Sequence, residues 1–93
     1  MNLYEEQMRA LGERIKFIRL SRNITQAEAA SAAQISRTRM SQLESGTANP
    51  KFDTLCAVAF ALDCDIATLT SIVSHRHQSK KTRSEPTEII SIE

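Results

Sequence analysis

Two helix-start signals stand eleven residues apart in the middle of this chain. Thr25-Gln26-Ala27-Glu28 has the S/T-x-x-E form of a capping box, in which a hydroxyl and a carboxylate satisfy the free N–H groups at a helix start. Ser36 is a second N-cap, placed before "RTRMSQLES", and Gly46 closes that stretch. The interval admits one short helix ending near Ala33, a tight turn at Gln34 and Ile35, and another short helix over 37–45. A chain of 93 residues buries only a modest share of its surface, so a bundle of helices or a dimer suits it.

The flanking sequence supplies the rest of a bundle. Met8, Leu11, Ile15 and Ile18 recur at helical spacing and predict a helix over 3–22. Asn2, with Glu5 three residues on, starts it, and Asn23 tolerates the left-handed stop. Phe17 and Leu20 fall off that stripe and would face outward. The second helix, "TQAEAASAAQ", is rich in alanine, which favours helix and lets a neighbour approach closely. Asn49-Pro50 marks a loop. A fourth helix is expected over 52–62, with Phe52, Leu55, Val58, Ala59 and Leu62 on one face. A fifth is expected over 65–73, using Ile66, Leu69, Ile72 and Val73, with Asp65 at its start where a carboxylate is favoured. After Ser74 the composition turns polar and charged, which predicts a flexible basic tail over 75–93. Its end, "TEIISIE", has the isoleucines of a short strand that would need a partner.

Charge is distributed unevenly. The formal net charge is +1, yet residues 14–51 carry seven Lys and Arg against Glu28 and Glu44. Residues 52–74 carry only Asp53, Asp63 and Asp65. The positive excess therefore coincides with the two short central helices, as an electrostatic footprint for phosphates would. Arg37, Thr38, Arg39, Ser41 and Gln42 give the second of these helices forked, hydroxyl and amide donors in place of the usual Lys and Glu. No apolar run approaches the ~20 residues that span a bilayer, and the acidic N-terminal stretch lacks a signal h-region. A cytoplasmic protein is expected. Cys56 and Cys64, eight apart among apolar residues, read as reduced, buried filler.

The ordered set "LGERIKFIR", "TQAEAASAA", "ISRTRMSQLESG" and "NPKFDTLCAVAFALDCD" resembles the phage-repressor/Cro-like (Xre-type) helix-turn-helix family over about two thirds of the chain. The resemblance implies an all-α, five-helix lambda-repressor-like DNA-binding domain over 1–74, followed by the tail. It also implies a recognition helix, 37–45, lying in the major groove. Carried over residue by residue, Arg37 and Thr38 would face bases, with Gln42 one turn on. Ser36, Arg39, Ser41, Asn49 and Lys51 would meet phosphates. Gln26, at a helix N-terminus, would anchor the backbone and brace the recognition helix. Glu44 would pair with a basic residue of the first helix. The chain departs from the family where Gln34 replaces the usual turn glycine and where Ala29 and Ala33 replace larger aliphatics. Phe17, Leu20 and Phe60 occupy normally polar positions, which argues for a cover over them: the isoleucine tail, a second subunit or another protein.

No catalytic constellation is visible. His75 and His77 lie in the tail without a carboxylate or cysteine cluster, so neither a metal nor another cofactor is expected. The reading is a dimeric, sequence-specific transcriptional repressor binding a palindromic operator, not an enzyme and not a membrane protein. The alternative is an antitoxin that binds a toxin protein and represses its own operon. Ile72 and Val73 are the expected dimer contacts. Ile89, Ile90 and Ile92 are expected to pair, as a strand, with a twin or a partner.

Overall fold

The computed structural model describes residues 2–72. Val73, the basic stretch 75–86 and the isoleucines Ile89, Ile90 and Ile92 lie outside the described residues. Five helices follow in chain order: α1 (Leu3–Ser21), α2 (Gln26–Ala33), α3 (Arg37–Ser45), α4 (Phe52–Ala61) and α5 (Ile66–Leu69). The described residues contain no strand, so the fold is all-α as expected.

Local chemistry starts the helices where the sequence places them. Asn2 and Thr25 form complete capping boxes with Glu5 and Glu28. The Ser36 hydroxyl accepts from the Arg39 N–H at 3.0 Å, and the Asp65 carboxylate accepts from the Thr68 N–H at 2.8 Å. That bond from Thr68 holds the Asp65 carboxyl below its usual range. Lys51 precedes α4 with no side-chain cap.

Helix stops repeat one device four times. Asn23, Gln34, Gly46 and Asp63 all have positive φ, between 57° and 79°. In each case the following N–H reaches back five residues: Ile24 to Arg19, Ile35 to Ala30, Thr47 to Gln42 and Cys64 to Ala59, at 3.0–3.1 Å. This is the left-handed termination that satisfies carbonyls the helix leaves open. Gln34 adopts it at φ 61° without glycine, so the turn between α2 and α3 carries about 1–2 kcal/mol of backbone strain.

The core sits where all five helices meet. α1 packs on α3 and α5, α2 on α3 and α4, and α4 on α5. Ile15, Met40, Val58, Leu62 and Leu69 are fully buried, each contributing about 1.5–3 kcal/mol by removal from water. Leu11, Ile18, Leu43 and the alanines Ala29, Ala30, Ala33 and Ala59 fill the space between them. Glycine is required once inside a helix. A Cβ on Gly12 would lie 2.5 Å from the carbonyl oxygens of both Leu43 and Glu44. α1 thus backs directly onto the main chain of α3.

Three expectations are corrected. The fifth helix spans only Ile66–Leu69, not 65–73, because Thr70 ends it and Ile72 turns in to pack partly against the core. Phe52 does not join the buried face of α4 but is 67% exposed, at the first position of the helix. The cysteines are not buried filler: Cys56 is exposed and Cys64 only partly covered. Burial pushes the Cys64 thiol pKa up.

Gly12→Ala is expected to destabilise the fold. Alanine's helix propensity favours the change by about 1 kcal/mol, whereas overpacking opposes it by ~1–3 kcal/mol. The obstructing atoms are backbone carbonyls, which cannot rotate aside, so overpacking dominates. Urea unfolding should show a lower midpoint at unchanged slope; an equal or higher midpoint would show that α1 and α3 separate freely.

Candidate nucleic-acid interface

α3 divides its residues between two sides. Met40, Leu43 and Glu44 are buried. Arg37, Thr38, Ser41 and Gln42 are exposed and fall at i, i+1, i+4 and i+5, one outward face. Together with Gln26, the first residue of α2, these four line a concavity of about 290 Å³. The groove therefore joins the start of α2, where backbone N–H groups favour an anion, to the outward face of α3. It presents guanidinium, hydroxyl and amide groups and no carboxylate.

The remaining residues expected at this surface lie beside the groove. Ser36 caps α3 and is exposed. The Arg39 guanidinium reaches toward the Asn49 carbonyl, at a long 3.5 Å, which brings it to the loop carrying exposed Asn49 and Lys51. The structure thus forms two neighbouring groups: Gln26, Arg37, Thr38, Ser41 and Gln42 in the groove, and Arg39, Asn49 and Lys51 at the loop. Ile72 lines a separate recess with Ala10, Glu13, Arg14 and Phe17.

Behind the groove, one carboxylate holds three helices. Arg19 of α1 donates two hydrogen bonds to Glu44 of α3, Nε to Oε2 at 2.5 Å and Nη2 to Oε1 at 3.0 Å. Its third nitrogen, Nη1, donates to the Ile24 carbonyl at 2.8 Å. Gln26 of α2 donates from Nε2 to the same Oε1 at 3.0 Å. Arg19 and Glu44 are only 7% and 8% exposed. A parallel, two-point pairing of this kind fixes orientation as well as distance. It gives Glu44 the helix-1 partner expected of it, and it gives the bracing half of the role expected of Gln26 a concrete form. Gly12 is the residue that motif reading passed over. A lone glycine inside an amphipathic helix was the available signal, since it marks a close backbone approach.

Taken together, a short helix pinned from behind and polar in front, joined by a tight turn to a second helix, define a helix-turn-helix module. A helix-turn-helix family model matches residues 15–69, more than half of the chain, and the chain belongs to that family. The family is one of DNA-binding regulators of transcription, which takes the chain out of the enzyme classes. The chain is 39% identical over 59 residues to the immunity repressor protein of Bacillus phage phi105, covering 63% of this chain and 41% of that protein. Among solved structures, the clp gene regulator ClgR from C. glutamicum is similar at 29% identity and TM-score 0.65, over 74% of this chain and 86% of that one. The restriction-modification controller protein C.AhdI from Aeromonas hydrophila shares the fold at TM-score 0.66 and 22% identity, over 67% and 94% of the two chains.

Glu44→Ala is expected to cost about 3–5 kcal/mol, because it leaves the buried Arg19 guanidinium without its counter-charge. Removing both charges together, as Arg19→Met with Glu44→Leu, should recover most of that loss. Urea unfolding of Glu44→Ala, of the Arg19→Met and Glu44→Leu single variants and of their double variant would measure it and close the cycle. Equal losses in the single and double variants would show that the pair is not the coupling element.

Proposed function

We propose that the protein is a dimeric, sequence-specific repressor of transcription that inserts α3 into the DNA major groove. One observation carries the reading: an outward face of four exposed donors stands on a helix whose inner face is locked to α1 and α2 through Glu44. Reading bases requires side chains held in fixed register on a rigid support. Arg37 offers a guanine fork, Gln42 an amide pair for adenine, and Thr38 a hydroxyl and a methyl. Ser36, Arg39, Ser41, Asn49 and Lys51 meet phosphates on either side, and Gln26 does so at the start of α2 while it braces Glu44. The repressor role is supported by likeness to the phage phi105 immunity repressor.

In this reading two copies present their α3 helices to half-sites about one DNA turn, ~34 Å, apart. Phe17, 65% exposed, and the partly covered Ile72 beside it form the contact between copies, to which Val73 is added. The site of action is the cytoplasm, on the nucleoid; no described helix is long and apolar enough to cross a membrane.

A binding titration on operator and scrambled duplexes tests the proposal. If a dimer neutralises six to ten phosphates, affinity falls about 10³–10⁵-fold between 50 and 200 mM salt. Arg37→Ala should lose discrimination worth ~1–3 kcal/mol at one base pair per half-site, whereas Arg39→Ala should weaken all sequences alike. A flat salt response, a single copy on a full operator, or an Arg37→Ala variant that weakens both duplexes equally would each overturn its part of the reading.

A further inference from the structure

The carbonyl oxygen of Gln42 gathers more donors than it has lone pairs. The N–H groups of Thr47 and Ala48 donate to it at 3.0 and 3.3 Å. The Ser45 hydroxyl stands 3.1 Å from the same oxygen and the Thr47 hydroxyl 3.4 Å. The two hydroxyls are 3.0 Å from each other. A carbonyl has two lone pairs, so four donors are not served at once. O–H donors prefer separations below about 3.0 Å, and the arrangement that fits best runs from Thr47 to Ser45 and from Ser45 to the carbonyl.

Stopping the helix does not require these hydroxyls. Gly46, at φ 79°, and the N–H groups that follow it already complete the left-handed stop. What the hydroxyls add is direction to the turn over 46–51. Ala48, buried, holds the middle of that turn to the core. Its far end is held less firmly by side chains. Lys51 precedes α4 with no side-chain cap bond, and Arg39 reaches the Asn49 carbonyl only at 3.5 Å. Asn49 and Lys51 are both exposed. The turn that carries them therefore hangs from the backbone of Gln42, whose side chain lines the groove. Phosphate contacts and base contacts take their register from one residue.

Resting on the DNA-reading proposal above, we infer that Ser45 and Thr47 are positioning residues for DNA binding. Their hydroxyls lock the turn to the Gln42 carbonyl, so that Asn49 and Lys51 meet the phosphates while the Gln42 side chain faces its base. Both act through the turn and not by touching DNA.

Thr47→Val keeps the side-chain shape and removes the hydroxyl, and Ser45→Ala removes the other. Binding to operator and scrambled duplexes across a salt series tests both. Each variant should lower the slope of log affinity on log salt by about two per dimer, one for the Lys51 of each copy. Each should weaken both duplexes alike, about tenfold at 150 mM salt, and Thr47→Ser should restore binding. In a background carrying Asn49→Ala and Lys51→Ala, the hydroxyl variants should cost nothing further, as for residues that act through a shared element. Urea midpoints of the same variants show whether folding is intact. A wild-type salt slope in both hydroxyl variants overturns the inference, even where the midpoint falls, because a merely structural role leaves that slope unchanged. Full additive losses in the double-alanine background also overturn it, since they would make the hydroxyls direct DNA contacts. If Lys51→Ala itself leaves the slope unchanged, the phosphate role of the turn fails first, so the two failures are distinguishable.

Discussion

The arrangement of this molecule depends on a single buried carboxylate. Glu44 receives Arg19 at two points and Gln26 at a third, and so ties α1, α2 and α3 at one place. Taking such a pair out of water carries a desolvation cost that its attraction only partly offsets. Its value is therefore geometric. The apolar side of α3 supplies just Met40 and Leu43 to the core, which would let a nine-residue helix roll. Hydrogen bonds with defined directions from both neighbours remove that freedom. The same contact reaches the Ile24 carbonyl, so the turn leading into α2 is held as well.

Small residues make this close assembly possible. Gly12 lets α1 lie on the α3 main chain, and Ala29, Ala30 and Ala33 give α2 no bulk to hold α3 and α4 away. The large apolar volume is concentrated instead in Ile15, Met40, Val58, Leu62 and Leu69. With helices this short, their ends matter as much as their faces. The repeated left-handed stop turns the chain four times while leaving few carbonyls open. At Gln34 it does so against the conformational preference of the residue. There the hydrogen bonds from Gln34 and Ile35 back to Ser31 and Ala30, together with packing on both sides, hold the strained backbone in place.

Much of this was legible in the sequence because it rests on local chemistry. Caps at Asn2, Thr25, Ser36 and Asp65 and stops at Asn23 and Gly46 act through neighbours within a few residues, and the structure forms them at those positions. The all-α architecture followed, as did the family. What was hidden depends on distant contacts. The apolar spacing of Ile66, Leu69, Ile72 and Val73 predicts a longer fifth helix, but Ile72 finds its apolar contacts after the helix has ended. Phe52 matches the period of α4, yet at the first position of the helix it is left exposed. Cys56 looks internal by its neighbours and is external by its angle on the helix. Asp63 gives no strong stop signal on its own, and only the bond from Cys64 to Ala59 reveals its role. At the candidate site, the residue types were readable from α3 alone. Their grouping with Gln26 came only through the family resemblance, because the groove they share depends on how α2 crosses α3.

The two-sided construction of α3 has a consequence for how such a protein diversifies. The residues that fix the helix, Met40, Leu43 and Glu44, share no position with those that line the groove, Arg37, Thr38, Ser41 and Gln42. Ser36 and Gly46 bound the helix independently of either set. Substitutions at the four groove positions therefore touch neither core volume nor the caps, and surface changes of that kind usually alter stability by less than about 0.5 kcal/mol. The scaffold behaves as a socket with interchangeable contacts: side chains at four sites can be exchanged combinatorially while the supporting architecture stays the same.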